Sequence, residues 1–143
     1  DLTVADNLTF SARAAGAGAA AAADAMARLG LDGRLRDVPA GRLSAGQRRR
    51  VAVAAVVARR PELWLLDEPH ASLDAAGRDL LDTLVREAAA AGSTVLLASH
   101  ELDRADHLAT RRVTIVGGRA QDGLLEATAA TDAATEREPA RVP

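Results

Sequence analysis

A chain of 143 residues fits one modest domain with a single core, and its 48% hydrophobic and 27% charged content is ordinary for a globular fold. A net charge of −2 argues against a dedicated nucleic-acid binder. The absence of cysteine excludes disulfides and thiolate metal sites, and no apolar run approaches the roughly 18 residues of a membrane span.

In chain order, Leu2–Ala15 is predicted to be a helix with Thr3 as N-cap and Asp6 three residues on. Gly16 and Gly18 interrupt it, and Ala19–Leu29 forms a second, alanine-driven helix closed by Gly30. Leu31–Gly41, with two glycines and Pro39, reads as loop. Ser44 caps a third helix to about Arg59, stopped by Pro61. Glu62–Leu66 is an apolar run read as a buried strand, with Asp67 and Glu68 just beyond its carboxyl end. A helix from Asp74 or Ala75 to Ala91, a second buried strand Ser93–Ala98, a short helix Glu101–Leu108 and a third strand Arg112–Val116 follow. That last strand turns at Gly117-Gly118. From Ala127 onward, Ala, Thr, Glu and Pro without periodicity read as a disordered tail. The alternation implies an α/β fold with a parallel core, whose ligand side is the carboxyl ends of the strands; Asp67, Glu68 and His100 all fall there.

Two constellations carry chemistry. An apolar strand ending in Asp67-Glu68 offers one carboxylate to Mg²⁺ and a neighbour to handle a water, although Asp-Glu-Pro alone also fits a plain turn. Ser44-Ala45-Gly46-Gln47 leaves open N–H groups at a helix start, an anion site or an ordinary cap. All 18 positive residues are arginine. A P-loop needs a lysine to reach the β- and γ-phosphates, so these residues hold none. Arg48-Arg49-Arg50 reads as a solvated face or a domain contact rather than a nucleic-acid patch. His70 and His107 lack metal-ligand company and read as surface or packing residues, and Trp64 as core.

Leu43-Ser44-Ala45-Gly46-Gln47 resembles the signature motif of the ATP-binding cassette (ABC) ATPases. Leu63-Trp64-Leu65-Leu66-Asp67-Glu68 resembles their Walker B strand, Ala71-Ser72-Leu73-Asp74 their D-loop, and Ser99-His100 their H-loop. The resemblance covers Asp1 to Gly118. It departs from the family in lacking everything before the helical subdomain: A-loop, P-loop and Q-loop. The chain starts at Asp1 rather than Met, without a signal-peptide pattern, and reads as the C-terminal half to two-thirds of one cassette. The fold implied is a P-loop NTPase-like α/β cassette fragment. Residues 1–126 would be the partial ATPase domain, with 1–60 the helical subdomain and signature helix and 61–126 the core; 127–143 would be the tail.

The resemblance implies ATP and Mg²⁺ as cofactors. Asp67 would hold the metal, Glu68 would polarise the attacking water, and His100 would contact the γ-phosphate. Ser44, Ala45, Gly46 and Gln47 would cap the γ-phosphate of ATP held by a second ATPase subunit in a head-to-tail dimer, and Asp74 would couple the two sites. Partners would be that subunit and an integral membrane transporter subunit, with no nucleic acid, on the cytoplasmic face of the plasma membrane. "LWLLDEP" with "LSAGQRRRVA" is similar to the haem-exporter ATPases of bacterial cytochrome c maturation, which implies haem export. The DNA-repair or chromosome ATPases, the translation-factor type and a truncated, non-hydrolysing product stay open as alternatives. The chain by itself is expected to be inactive.

Overall fold

Thr3 opens the first helix through a capping box: its Oγ accepts from the Asp6 N–H (3.1 Å), and the Asp6 carboxylate accepts from the Thr3 N–H (3.2 Å). In the computed structural model, which describes residues 2–124, this helix is α1, Val4–Ala14. Gly16 (φ 76°) breaks the run, and α2 spans Ala19–Arg28, followed by Gly30 at φ 63°. Two single 3₁₀ turns, Gly33–Leu35 and Ala40–Arg42, occupy the expected loop. A second capping box, Ser44 with Gln47, starts α3, Ala45–Arg59, and Arg60 turns left-handed (φ 47°) before Pro61. Ala12, Ala22, Ala25 and Ala54 are fully buried, so α1, α2 and α3 approach closely around Val4, Leu8 and Leu31. Small residues let the three helix backbones approach closely.

The strands β1 (Leu63–Asp67) and β2 (Thr94–Ala98) are joined through α4 (Ala75–Ala90), and α5 (Leu102–Leu108) follows. They pair in parallel, Leu63 opposite Thr94 and Asp67 opposite Ala98. Both were expected to be buried throughout; instead burial alternates. Trp64, Leu66, Val95 and Leu97 are wholly or partly covered, while Leu63 (51% exposed), Leu65 (67%) and Leu96 (62%) face outward. A sheet is covered on both faces only when helices flank both, and among the described residues only one face is covered.

The chain forms two compact units, divided between Leu108 and Ala109. In the second, β3 (Arg111–Val116) and β4 (Arg119–Leu124) form an antiparallel hairpin across Gly117 (φ 56°) and Gly118 (φ 75°). The sequence predicts the turn but no strand after it, and it predicts Arg112–Val116 as a strand of the parallel core; instead β3 pairs with β4 in an antiparallel hairpin. Two positive-φ glycines are the backbone a tight hairpin needs, because its turn must follow the strands' right-handed twist. The tail expected at 127–143 lies outside the described residues.

Candidate functional site

The carboxyl ends of β1 and β2 bring Glu68 and His100 together. The Glu68 N–H extends the sheet ladder to Ala98 O (2.9 Å), and the residue then takes φ 43°, which turns its side chain off the strand line. Its carboxylate accepts twice from one residue: Oε1 from the His100 backbone N–H (3.0 Å) and Oε2 from His100 Nδ1 (2.8 Å). The hydrogen bond from the His100 side chain holds the Glu68 carboxyl below its usual range, and the same bond raises His100 above its ordinary 6.5. Asp67 is exposed on the open face of the sheet, with no ion pair among the described residues. No cluster of three potential metal-ligating side chains occurs among them either.

Ser44, Gly46, Gln47, Arg50, Ser72 and Asp74 line an open cleft of about 380 Å³. The capping box uses the Ser44 N–H (2.9 Å to Gln47 Oε1) and the Gln47 N–H (3.2 Å to Ser44 Oγ). The N–H groups of Ala45 and Gly46, in the first turn of α3, have no intrahelical partner and point out of the helix start. Gly46 is pressed by the chain itself: a Cβ there would lie 2.8 Å from the Ser72 carbonyl oxygen. Asp74 Oδ1 caps α4 by accepting from the Gly77 N–H (2.9 Å) and also pairs with Arg50 (2.9 Å). The Gly77 bond and then the Arg50 bond lower its pKa. Thus the turn at Ser44–Gln47 meets the Ser72–Asp74 loop directly, and no hydrogen bond links it to Glu68 or His100.

Three residues carry more than the sequence reading gave them. Arg48 donates to Leu43 O (2.5 Å) and Arg50 pairs with Asp74, so only part of the arginine run is a solvated face. His70 is 1% exposed and its Nε2 lies 2.7 Å from Asp82 Oδ1, which rules out a surface role. Its partner is twelve residues away on α4, at a spacing with no motif signal. His107 is exposed, with Nδ1 2.5 Å from Asp103 O, and Trp64 is buried.

Residues 1–71 match the family model described as ABC transporter. The chain is 46% identical over 101 residues to the cobalt import ATP-binding protein CbiO of Rhodobacter capsulatus, covering 71% of this chain and 36% of that protein. It is 47% identical over 105 residues to the cytochrome c biogenesis ATP-binding export protein CcmA 2 of Cupriavidus metallidurans, covering 71% and 48%. The chain therefore spans about half the length, or less, of these curated relatives. A solved ATP-binding subunit of an ABC transporter superimposes with a TM-score of 0.80 at 26% identity, over 87% of this chain and 54% of that one. A bacterial ABC transporter cassette solved as a dimer superimposes with a TM-score of 0.77 at 23% identity, over 87% and 57%. By its motif order, its parallel strand ends and these similarities, the chain belongs to the ABC transporter family.

Proposed function

We propose that this chain works as the signature, Walker B and H-loop part of a cassette that hydrolyses ATP to drive export, with haem for cytochrome c biogenesis as the cargo. The observation that carries the reading is the Glu68–His100 pair, held by two hydrogen bonds at the ends of adjacent parallel strands. The residues fit Mg²⁺ and ATP in their donor chemistry: Mg²⁺ takes one or two carboxylates and completes its shell with water and phosphate oxygens, and Asp67 is an exposed carboxylate without a competing cation. When bound, Mg²⁺–ATP supplies the γ-phosphoryl group that is transferred to water.

Within the chain, Glu68 orients and polarises that water. A carboxyl held below its usual range is a weak base, better suited to aligning a water than to keeping its proton. His100, 79% exposed and favoured in its cationic form by Glu68, presents a donor towards phosphate oxygens. Ser44, Ala45, Gly46 and Gln47 receive the γ-phosphate of a second subunit. Ser44 Oγ accepts from Gln47 and keeps its own proton to donate, and the free N–H groups face outward with the positive end of α3. Asp74 couples the two sites of a head-to-tail dimer. The fold shared with a cassette solved as a dimer supports that assembly. The unpaired edges of β1 and β2 support a sheet continued by further strands, and their open apolar face supports a further covering layer. A membrane subunit completes the transporter at the cytoplasmic face of the membrane; among the described residues no helix is long and apolar enough to cross it.

The similarity to a cytochrome c biogenesis export protein supports haem as cargo, and that to a cobalt import protein supports import as a second reading. Restoration of c-type cytochromes in a strain lacking its own cassette for that pathway separates the two. Hydrolysis is tested by Glu68→Gln in the full-length subunit. ATP binding is retained while turnover falls about 10²-fold or more, because the amide cannot polarise water as a carboxylate does. Near-normal turnover removes Glu68 from the role.

A further inference from the structure

Between Glu68 and Asp74 the backbone takes a conformation that its residues resist. Glu68 (φ 43°) and Ser72 (φ 65°) are both left-handed without being glycine. Two backbone bonds close the turn internally, Ala71 N–H to Glu68 O (3.1 Å) and Leu73 N–H to His70 O (3.2 Å). Such strain persists only where the surroundings over-determine the backbone. His70, at the centre of the turn, is one of the largest fully buried side chains of the chain. Its Nε2 lies 2.7 Å from Asp82 Oδ1, and the other oxygen of Asp82 accepts from Arg104 of α5, which also reaches Asp79 (3.2 Å). Paired with a guanidinium, Asp82 is an acceptor, so His70 Nε2 carries the proton and donates. The other ring nitrogen, Nδ1, is buried without a partner.

Stability alone does not explain this arrangement. Apolar side chains at positions 70 and 82 together would fill the same space without leaving a buried ring nitrogen unpaired, and buried polar networks are commonly no more stable than such paired replacements. A network of directional bonds does fix position. The same helix, α4, also grips the segment after His100 through Arg78–Glu101 (2.9 Å) and through Asp79 and Asp82 to Arg104. One rigid element thus holds the turn bearing Glu68 on one flank and the loop bearing His100 on the other.

We infer that His70 is a positioning residue: through Asp82 and Arg104 it registers the Glu68 turn against the His100 loop and so sets the geometry of the Glu68–His100 pair. This rests on the reading of Glu68 as the water-orienting carboxylate.

The first test uses the full 143-residue chain without nucleotide, carrying Leu65→Thr and Leu96→Thr on the open sheet face in every sample to limit self-association. The readout is exchange of the His100 backbone amide, which donates to Glu68, measured by NMR in His70→Leu, Arg104→Met and His70→Gln. Loss of one hydrogen bond corresponds to about tenfold faster exchange. That acceleration is expected at His100 in His70→Leu and Arg104→Met, with the Leu8 and Ala12 amides of α1 unchanged. His70→Gln, whose Nε2 can still donate to Asp82, is expected to keep His100 protected. An unchanged His100 amide in the first two variants overturns the inference. So does acceleration shared with Leu8 and Ala12, which marks a general loss of stability. If His70→Leu fails to fold, Arg104→Met against Arg104→Lys makes the same comparison from the partly exposed end of the network.

The second test is ATP hydrolysis by the full-length subunit. His70→Leu is expected to lower kcat by up to about 10²-fold, the scale of a 1 Å misplacement, at unchanged KM, and His70→Gln to restore it. A change in KM with kcat intact overturns the positioning role. Should Glu68→Gln hydrolyse ATP normally, the reading of Glu68 fails, while the amide result still decides whether His70 registers the two segments.

Discussion

Glu68 and His100 each change the other's titration, and the signs give the pair a defined pH window. Glu68 is lowered from its ordinary 4.5, so its contribution is present above that value and lost as pH falls through the folded pKa. His100 is raised from 6.5, so its contribution is full below that value and lost as pH rises through the folded pKa. The pair is therefore complete between pH 4.5 and 6.5 and persists somewhat beyond both limits. With three histidines in the chain, one of them buried, the His100 Cε1–H resonance can be followed individually by NMR. Its midpoint is expected above 6.5, and Glu68→Gln is expected to bring it back down. Because the imidazole is 79% exposed, added salt is expected to lower the midpoint too. A midpoint indifferent to Glu68→Gln would show that the two side chains do not meet in solution.

Among the elements, the contact of α3 with the loop before α4 carries a tight steric requirement set by backbone. Gly46 faces the Ser72 carbonyl at a distance no Cβ tolerates, Arg50 reaches Asp74, and Asp74 in turn caps α4 at Gly77. A glycine in this turn therefore has a reason within the chain, besides any close approach of phosphate. Gly46→Ala is expected to destabilise the 143-residue chain by about 1–3 kcal/mol, since the facing atom is backbone and cannot swing aside like a side-chain tip. Urea denaturation checks this, and an unchanged midpoint would mean that the Ser72 loop yields freely.

At the scale of the molecule, Leu63, Leu65 and Leu96 form a contiguous apolar strip on the open face of β1 and β2. Each strand also has one edge unpaired among the described residues. Exposed apolar sheet with free edges is a template for association. The chain is expected to self-associate at micromolar concentration, and Leu65→Thr with Leu96→Thr to reduce this while leaving the helical circular dichroism intact. Sedimentation velocity of the two proteins decides it; equal association would place the sticky surface elsewhere.

Most local elements and the motif order were legible along the chain. Capping at Thr3 and Ser44, breaks at Gly16 and Gly30, and the strand end at Ala98 all depend on neighbours within a few residues, where side-chain chemistry and backbone sterics act directly; the first strand runs one residue further than predicted, to Asp67. The Gly117-Gly118 turn was equally local, but the strand that follows it, β4, was not predicted. Tertiary structure alone decided which face of an apolar strand is covered, because Leu65 and Leu66 are chemically alike and burial depends on what packs above each. It alone paired His70 with Asp82, Arg50 with Asp74 and Gly46 with the Ser72 carbonyl. Such contacts join residues twelve to twenty-six positions apart, at separations set by how helices and strands stack rather than by any periodicity along the chain.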